Sequence, residues 1–190
     1  MRVMVLGAGG FIGSYIVPKL ATEFEVIPVY KNEVDLFNVD NVKLLLEHVQ
    51  PDVIINCISL GGKTELHTKN SDNVGKNIML FYSFYVNRNL FKLFINLGSG
   101  IELDINEDNA YAFSKRLIQD SIRPKDYGKF LTLRIFGCFG SGEPQHRLLK
   151  RYINTAGTFE IENNRLFDYF SVQDFYALQL LMLHDSWRLE

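Results

Sequence analysis

Three glycines, Gly7, Gly10 and Gly13, stand at GxxGxxG spacing directly after a short apolar run, Val3 to Leu6, and lead into an amphipathic stretch, Phe11 to Ala21. An uninterrupted apolar run of this length reads as a strand buried on both faces, as in a parallel sheet. A glycine lets the backbone turn sharply, or lets a phosphate approach where a Cβ would stand in the way. The helix that follows offers unpaired N–H groups and the positive end of its dipole to an anion. Strand, glycine turn and helix in that order are the context in which such a triplet reads as a dinucleotide-binding loop. The alternative is a purely structural turn. Pro18 falls inside the predicted helix and should kink it or mark its last turn.

The same alternation continues down the chain. Strands are predicted over Glu25–Val29, Val53–Cys57, Leu93–Leu97 and Lys129–Ile135. Helices are predicted over Asp40–Val49, with Asp40 as N-cap, Ser71–Leu90 and Ala110–Ser121. Gly61–Asn70 reads as a loop. After Ile135 the rhythm changes: a glycine-rich loop over Gly137–Pro144, a helix over His146–Asn154, short strands within Thr158–Phe170 and a last helix over Gln173–Leu183. Five β/α repeats with right-handed crossovers imply an α/β fold, a doubly wound parallel sheet of the Rossmann type. No repeat or interdomain linker interrupts it, so residues 1–190 read as one domain.

Composition narrows the function. The 190 residues are 47% hydrophobic and 22% charged, with a formal charge of −2, which is globular and gives no sign of a nucleic-acid or membrane surface. The 15 Phe read as core. Cys57 and Cys138 make no disulfide framework, and no Cys/His spacing suggests a metal. The first apolar run is too short for a signal peptide or a membrane span, so a cytoplasmic location is expected.

Two further segments carry chemistry. The second strand ends Val29-Tyr30-Lys31-Asn32, with no acid before Glu33. A carboxylate there would suit the ribose 2′-OH of NAD, and a basic residue the 2′-phosphate of NADP, so Lys31 favours NADP with NAD as the alternative. Lys31 is equally readable as a solvated surface lysine. Tyr111 and Lys115 form YxxxK, one face of a predicted helix. An ammonium near a phenol favours the phenolate, which makes Tyr111 a general acid/base for a carbinol/carbonyl pair. Ser99 ends the fourth strand, at the sheet edge where ligands bind, and its hydroxyl could bond the substrate oxygen. Its other reading is a turn residue in Gly98-Ser99-Gly100.

These motifs together resemble the extended short-chain dehydrogenases/reductases, the NAD(P)-dependent epimerase/dehydratase family acting on nucleotide sugars. The nearest resemblance is to the subgroup of GDP-fucose synthase and dTDP-rhamnose-forming reductase. Gly7 to Ser14 matches the family's glycine loop. Asp35-Leu36 and the stretch from Asn41 to Cys57 look like its "DL…PDvVih" segment. Asn73-Val74-Gly75 resembles "NvxGT", Leu133 to Phe136 resembles "LRxFNVYGPG", and Phe167 to Asp174 resembles "RDFvyVdD".

The resemblance implies a catalytic tetrad of Asn73, Ser99, Tyr111 and Lys115. Tyr111 would move the proton and Ser99 would bond the same oxygen. Lys115 would hold the nicotinamide ribose and tune Tyr111, and Asn73 would support Lys115. It implies cofactor contacts from Gly7, Gly10, Phe11, Ile12, Gly13, Lys31, Asp35, Leu36, Ser59, Tyr111 and Lys115, with Asp35 at the adenine. It also implies a homodimer through the aromatic helix around Phe81, Tyr82, Phe84 and Tyr85.

The chain departs from the pattern at Gly137, where the family has Asn, at Phe167, where it has Arg, and at Ile101, where the fucose enzymes have Cys. His146 stands near the position of their catalytic His and also reads as a surface or helix-capping residue. His48, His67 and His184 read as surface residues without partners, Cys57 as a buried strand residue and Cys138 as a loop residue. The family continues into a substrate domain where this chain stops, so residues 136–190 read as its remnant, in a shortened chain or a minimal member. Two functions stay open: an NADP-dependent reductase, epimerase or dehydratase of a nucleotide sugar, and a non-catalytic dinucleotide sensor on the same fold.

Overall fold

The computed structural model describes residues 1–61, 71–103, 109–161 and 168–185. Expectations for most of the loop after Gly61, for His67 and for Phe167 lie outside the described residues. The strands are β1 (Arg2–Leu6), β2 (Glu25–Val29), β3 (Val53–Asn56), β4 (Leu93–Ser99) and β5 (Phe130–Ile135). All four pairings among them are parallel, in the order β2-β1-β3-β4-β5. The helices between them are α1 (Phe11–Leu20), α2 (Val39–Val49), α3 (Ser71–Val86) and α4 (Ala110–Ser121). A second, two-stranded parallel sheet follows, with β6 (Gly137–Phe139), α5 (Leu148–Asn154), β7 (Tyr169–Ser171) and α6 (Val172–Asp185).

Alternate strand residues point to opposite faces, and here both faces are covered. Met4, Leu6, Ile54 and Phe94 pack beneath α2, α3 and α4 against Val42, Leu46, Phe81, Phe84 and Ile118. Val3, Val5, Val53, Ile55 and Ile95 face the other way, against Ile16 and Leu20 of α1 and Phe175 and Leu183 of α6. The phenylalanines are core, as their number predicts: Phe130 meets Phe81 at 5.5 Å and Phe94 at 5.6 Å between ring centroids.

Local chemistry sets the element ends. Pro18 marks the last turn of α1, which stops two residues later at Leu20. The cap of α2 is Asn38, not Asp40: its Oδ1 accepts the N–H groups of Asp40 at 2.9 Å and Asn41 at 3.1 Å. The third helix ends at Val86, short of the predicted Leu90. There the Asn87 amide donates to the Ser83 carbonyl at 2.9 Å and to the Val39 carbonyl of α2 at 3.1 Å, and the chain tightens into a 3₁₀ turn over Arg88–Leu90. Cys138 lies on β6 and is buried, rather than in a loop. Among the described residues no helix is long and apolar enough to cross a membrane.

Candidate functional site

The strand order reverses between β1 and β3, the point in an open α/β sheet where ligands bind beyond the carboxyl ends of the strands. Gly7 leaves β1 with φ +73, a left-handed conformation that favours glycine, and a Cβ there would stand 2.9 Å from Ile58 Cγ1. Its N–H and that of Ala8 both reach the Val29 carbonyl at the end of β2. A Cβ on Gly13 would stand 2.9 Å from the Ala8 Cα, so glycine lets α1 pack hard against the turn. The first intrahelical bond runs from the Ser14 N–H to the Gly10 carbonyl, and among the described residues no side chain caps the helix ahead of it. The amides at Phe11, Ile12 and Gly13 thus face an open, glycine-lined cradle, which fits a diphosphate. The Phe11 ring borders it with the Arg147 guanidinium 5.7 Å from its centroid, and Ile12 packs back into the core.

At the end of β2, Lys31 is exposed. Glu33 folds back so that its carboxylate accepts the Tyr30 N–H at 2.7 Å, which occupies the nearest acid in the turn. Asp35 is exposed and accepts the Phe37 N–H at 3.0 Å. With Phe37, Asp72, Gly75, Lys76 and Met79 it lines an open depression of about 450 Å³. The Leu36 side chain is buried in the core.

Ser59, Ser99, Tyr111 and Lys115 come together at the carboxyl edge of β3 and β4. Asn109 caps α4 by accepting the Ala112 N–H at 3.0 Å, so Tyr111 stands in the first turn of the helix. The Tyr111 hydroxyl is 2.8 Å from the Ser59 hydroxyl and also hydrogen-bonds Ser99. One turn on, Lys115 is buried; its Nζ donates to the Leu97 carbonyl of β4 at 2.9 Å and lies 5.7 Å from the Tyr111 ring centroid.

Burial pulls the Lys115 ammonium down to about 8, against the opposing pull of the Glu102 carboxylate. Burial pushes the Tyr111 phenol above its ordinary value; its bonds to Ser59 and Ser99 oppose that, Glu102 adds to it and Arg147 opposes it. The expectation that Lys115 lowers Tyr111 is therefore corrected. In this state the ammonium is turned to the Leu97 carbonyl, and burial of the phenol dominates.

Asn73 lies beside Gly61, where a Cβ added to the glycine would stand 3.3 Å from its Nδ2. The amide that joins α3 to the Lys115 helix is one turn further on: Asn77 donates to the Ser114 hydroxyl at 3.1 Å and clamps both the N–H and the carbonyl of Leu60. A second buried amide pair, Asn56 to Asn96 at 3.0 Å, ties β3 to β4, and Asn56 also accepts the Ile58 N–H. Asn77, Asn96, Glu102 and Arg147 are site-building residues that sequence reasoning missed. Polar residues within apolar runs, at Asn56 and Asn96, were the available signal.

Gly137 has a steric reason. A Cβ there would stand 2.8 Å from the Tyr169 ring, so the β6–β7 pair leaves no room for asparagine. Ile101 follows the turn after Ser99 and donates its N–H to the Ser99 hydroxyl at 3.4 Å. His146 is exposed just before α5, and His48 is exposed on α2. His184 does have partners, the Glu23 carboxylate at 3.1 Å and the Phe24 ring at 5.5 Å, contrary to expectation. Cys57 follows β3 and is only partly buried as a residue. Burial nonetheless pushes its thiol up to about 12 and that of Cys138 up to about 11, which favours the protonated thiol over the nucleophilic thiolate in both. Among the described residues no group of three or more His, Cys, Asp or Glu could hold a metal ion.

Comparison with known proteins bears on the family and the fold. The sequence model of the NAD dependent epimerase/dehydratase family matches residues 3–186. No curated protein matches the chain in sequence. Among solved structures, the dTDP-4-dehydrorhamnose reductase of Yersinia enterocolitica is similar with a TM-score of 0.80 at 18% identity, over 97% of this chain and 71% of that one. The UDP-glucose 4-epimerase of Thermotoga maritima, solved with UDP-glucose, gives 0.78 at 16% identity, over 96% and 73%. The GDP-L-fucose synthetase of Naegleria fowleri, bound to NADP, gives 0.73 at 16% identity, over 96% and 72%. At these identities the likeness is one of fold.

Proposed function

The chain belongs to the NAD-dependent epimerase/dehydratase family, and from that premise we propose that it is an NADP-dependent oxidoreductase, epimerase or dehydratase of a nucleotide sugar. The observation that carries this reading is the meeting of Ser59, Ser99, Tyr111 and Lys115 beside an uncapped, glycine-lined helix start. In it, the amides of Phe11, Ile12 and Gly13 bind the diphosphate of the dinucleotide. Asp35 and the depression beside it take the adenine end. Lys31 takes the 2′-phosphate, Glu33 being engaged with the Tyr30 N–H. A bound nicotinamide supplies or accepts the hydride.

The chain's own residues do the proton chemistry. Tyr111, held above its ordinary pKa, is a phenol at neutral pH and gives its proton to a keto oxygen, or recovers it in the reverse direction. Ser99 and Ser59 orient the phenol and hydrogen-bond the oxygen that changes charge. Lys115 leaves the Leu97 carbonyl to hold the ribose and steady the phenolate that forms. Asn77 keeps α3 and α4 in register beneath this group, the support that the resemblance assigned to Asn73.

The apolar residues left exposed on α3 and α4, among them Met79, Tyr82, Phe113 and Leu117, favour a homodimer through these helices. No membrane or nucleic-acid role is proposed, and the composition favours a cytoplasmic enzyme.

The test is a fluorescence titration with NADPH and with NADH, followed by turnover assays on keto-sugar nucleotides. Saturable binding with NADPH the tighter ligand, and turnover lost in Tyr111→Phe while NADPH binding persists, are the expected results. Tight binding without turnover of any such substrate would favour a dinucleotide sensor, and full activity in Tyr111→Phe would remove Tyr111 from the mechanism.

A further inference from the structure

One carboxylate at the site is not used by the reaction proposed above. Glu102 is buried on the 3₁₀ turn, Gly100–Leu103, that follows Ser99. A carboxylate out of water is costly unless it is paired and hydrogen-bonded. Glu102 has both kinds of partner: Oε1 accepts the Ser99 N–H at 2.7 Å, and Oε2 accepts from Arg134 Nε of β5 at 2.9 Å. The backbone is cut to fit it. A Cβ on Gly98 would run into Glu102 Oε1 and Thr132, and one on Gly100 would run into the Phe136 ring. Gly98 and Gly100, which frame Ser99, are therefore small because the carboxylate and the ring occupy the space a side chain would need.

The charge also looks toward the reacting groups. Tyr111 is faced by Ser59 from the end of β3, Ser99 from the end of β4, Glu102 from the turn and Arg147 from the start of α5, with Lys115 on its own helix. Lys115 is faced by the Leu97 carbonyl and by Glu102. Glu102 acts on both, favouring the phenol over the phenolate and the ammonium over the amine.

We propose that Glu102 is a positioning residue for the Ser99–Tyr111–Lys115 group: anchored by Arg134, it holds the turn that presents Ser99 and sets a fixed negative charge against the phenol and the ammonium. This rests on reading those three as the reacting group, and it deepens that reading. A site so arranged waits with its proton on Tyr111, the form that serves reduction of a keto group.

The test needs no substrate. The full chain is labelled with [13Cζ]tyrosine and titrated with pH by NMR, the Tyr111 signal being the one lost in Tyr111→Phe. Glu102→Gln keeps an amide oxygen for the Ser99 N–H and removes the charge, so the Tyr111 midpoint moves down. Arg134→Gln leaves the carboxylate and removes its cation, so the midpoint moves up. Opposite shifts are the signature of the charge, and a merely structural turn would not produce them. Equal midpoints in all three proteins, or shifts of one sign, overturn the proposal. Should Glu102→Gln not fold, Arg134→Gln decides alone, and an unchanged or lowered midpoint overturns it. NADPH binding and turnover are measured on the wild type separately. Their absence alongside opposite shifts would refute the enzymatic reading and leave the arrangement around Glu102 standing.

Discussion

Lys115 shows what a buried ammonium costs the fold. Its ammonium is buried against one carbonyl, and burial pulls it down to about 8 from the ordinary lysine value of 10.5. Below about pH 8 both folded and unfolded chains carry the proton, and the folded state bears the full penalty. From about 8 up to 10.5 the unfolded chain alone holds it, so this residue's contribution to stability rises with pH across that window. Lys115→Met should therefore be more stable than wild type at pH 7 by about 2–3 kcal/mol, with the gap shrinking as pH rises above 8, measured by urea unfolding at several pH values. A gap that does not change with pH would mean the ammonium is not penalised. Tyr111 and Lys115 were legible in the sequence because one helical turn separates them and a glycine-flanked serine ends the fourth strand. Glu102, Asn77 and Arg147 were not, because their roles depend on what sits across a sheet or between helices, which no local spacing encodes.

At the scale of elements, the parallel strands were legible because strands buried on both faces carry unbroken apolar runs, and four of the five predicted strands end within one residue of those found. The fourth runs two residues further than its apolar stretch, to Ser99, because Gly98 and Ser99 continue to pair with Arg134 and Ile135 of β5. The end of α3 was not legible, since Asn87 breaks it through a bond to α2 that lies far away in sequence. The last helix carries an oddity of its own. Gln179 of α6 is fully buried, and among the described residues neither its Oε1 nor its Nε2 has a hydrogen-bond partner. An unsatisfied buried amide costs about 1–3 kcal/mol, more than the bond it lacks would have contributed. Gln179→Leu, similar in size, should raise the melting temperature by about 2–4 °C, read by calorimetry. A lower melting temperature would mean the amide finds a partner the structure lacks.

For the whole molecule, the unfinished surface is the pair formed by α3 and α4. Tyr82 is 49% exposed on α3 and Phe113 42% exposed on α4, beside Met79 and Leu117, while the opposite faces of the same helices are core. Met79, Tyr82, Val86, Phe113 and Leu117 give this pair of helices the exposed apolar side chains that an interface between two copies would cover. Light scattering at micromolar concentration should give twice the chain mass, and Tyr82→Glu with Leu117→Glu should give the mass of one chain without loss of helix content. A single-chain mass for the wild type would remove the dimer. The strand order also bears on how the chain is made. β1 leaves the ribosome first and β2 pairs on one side of it; then β3 adds beside β1, β4 beside β3 and β5 beside β4. No strand has to be inserted between two already in place. The sheet can grow by edge addition in the order of synthesis, each new strand meeting a template that has already emerged, and the glycine turn after β1 is in position before the Tyr111 helix has been translated.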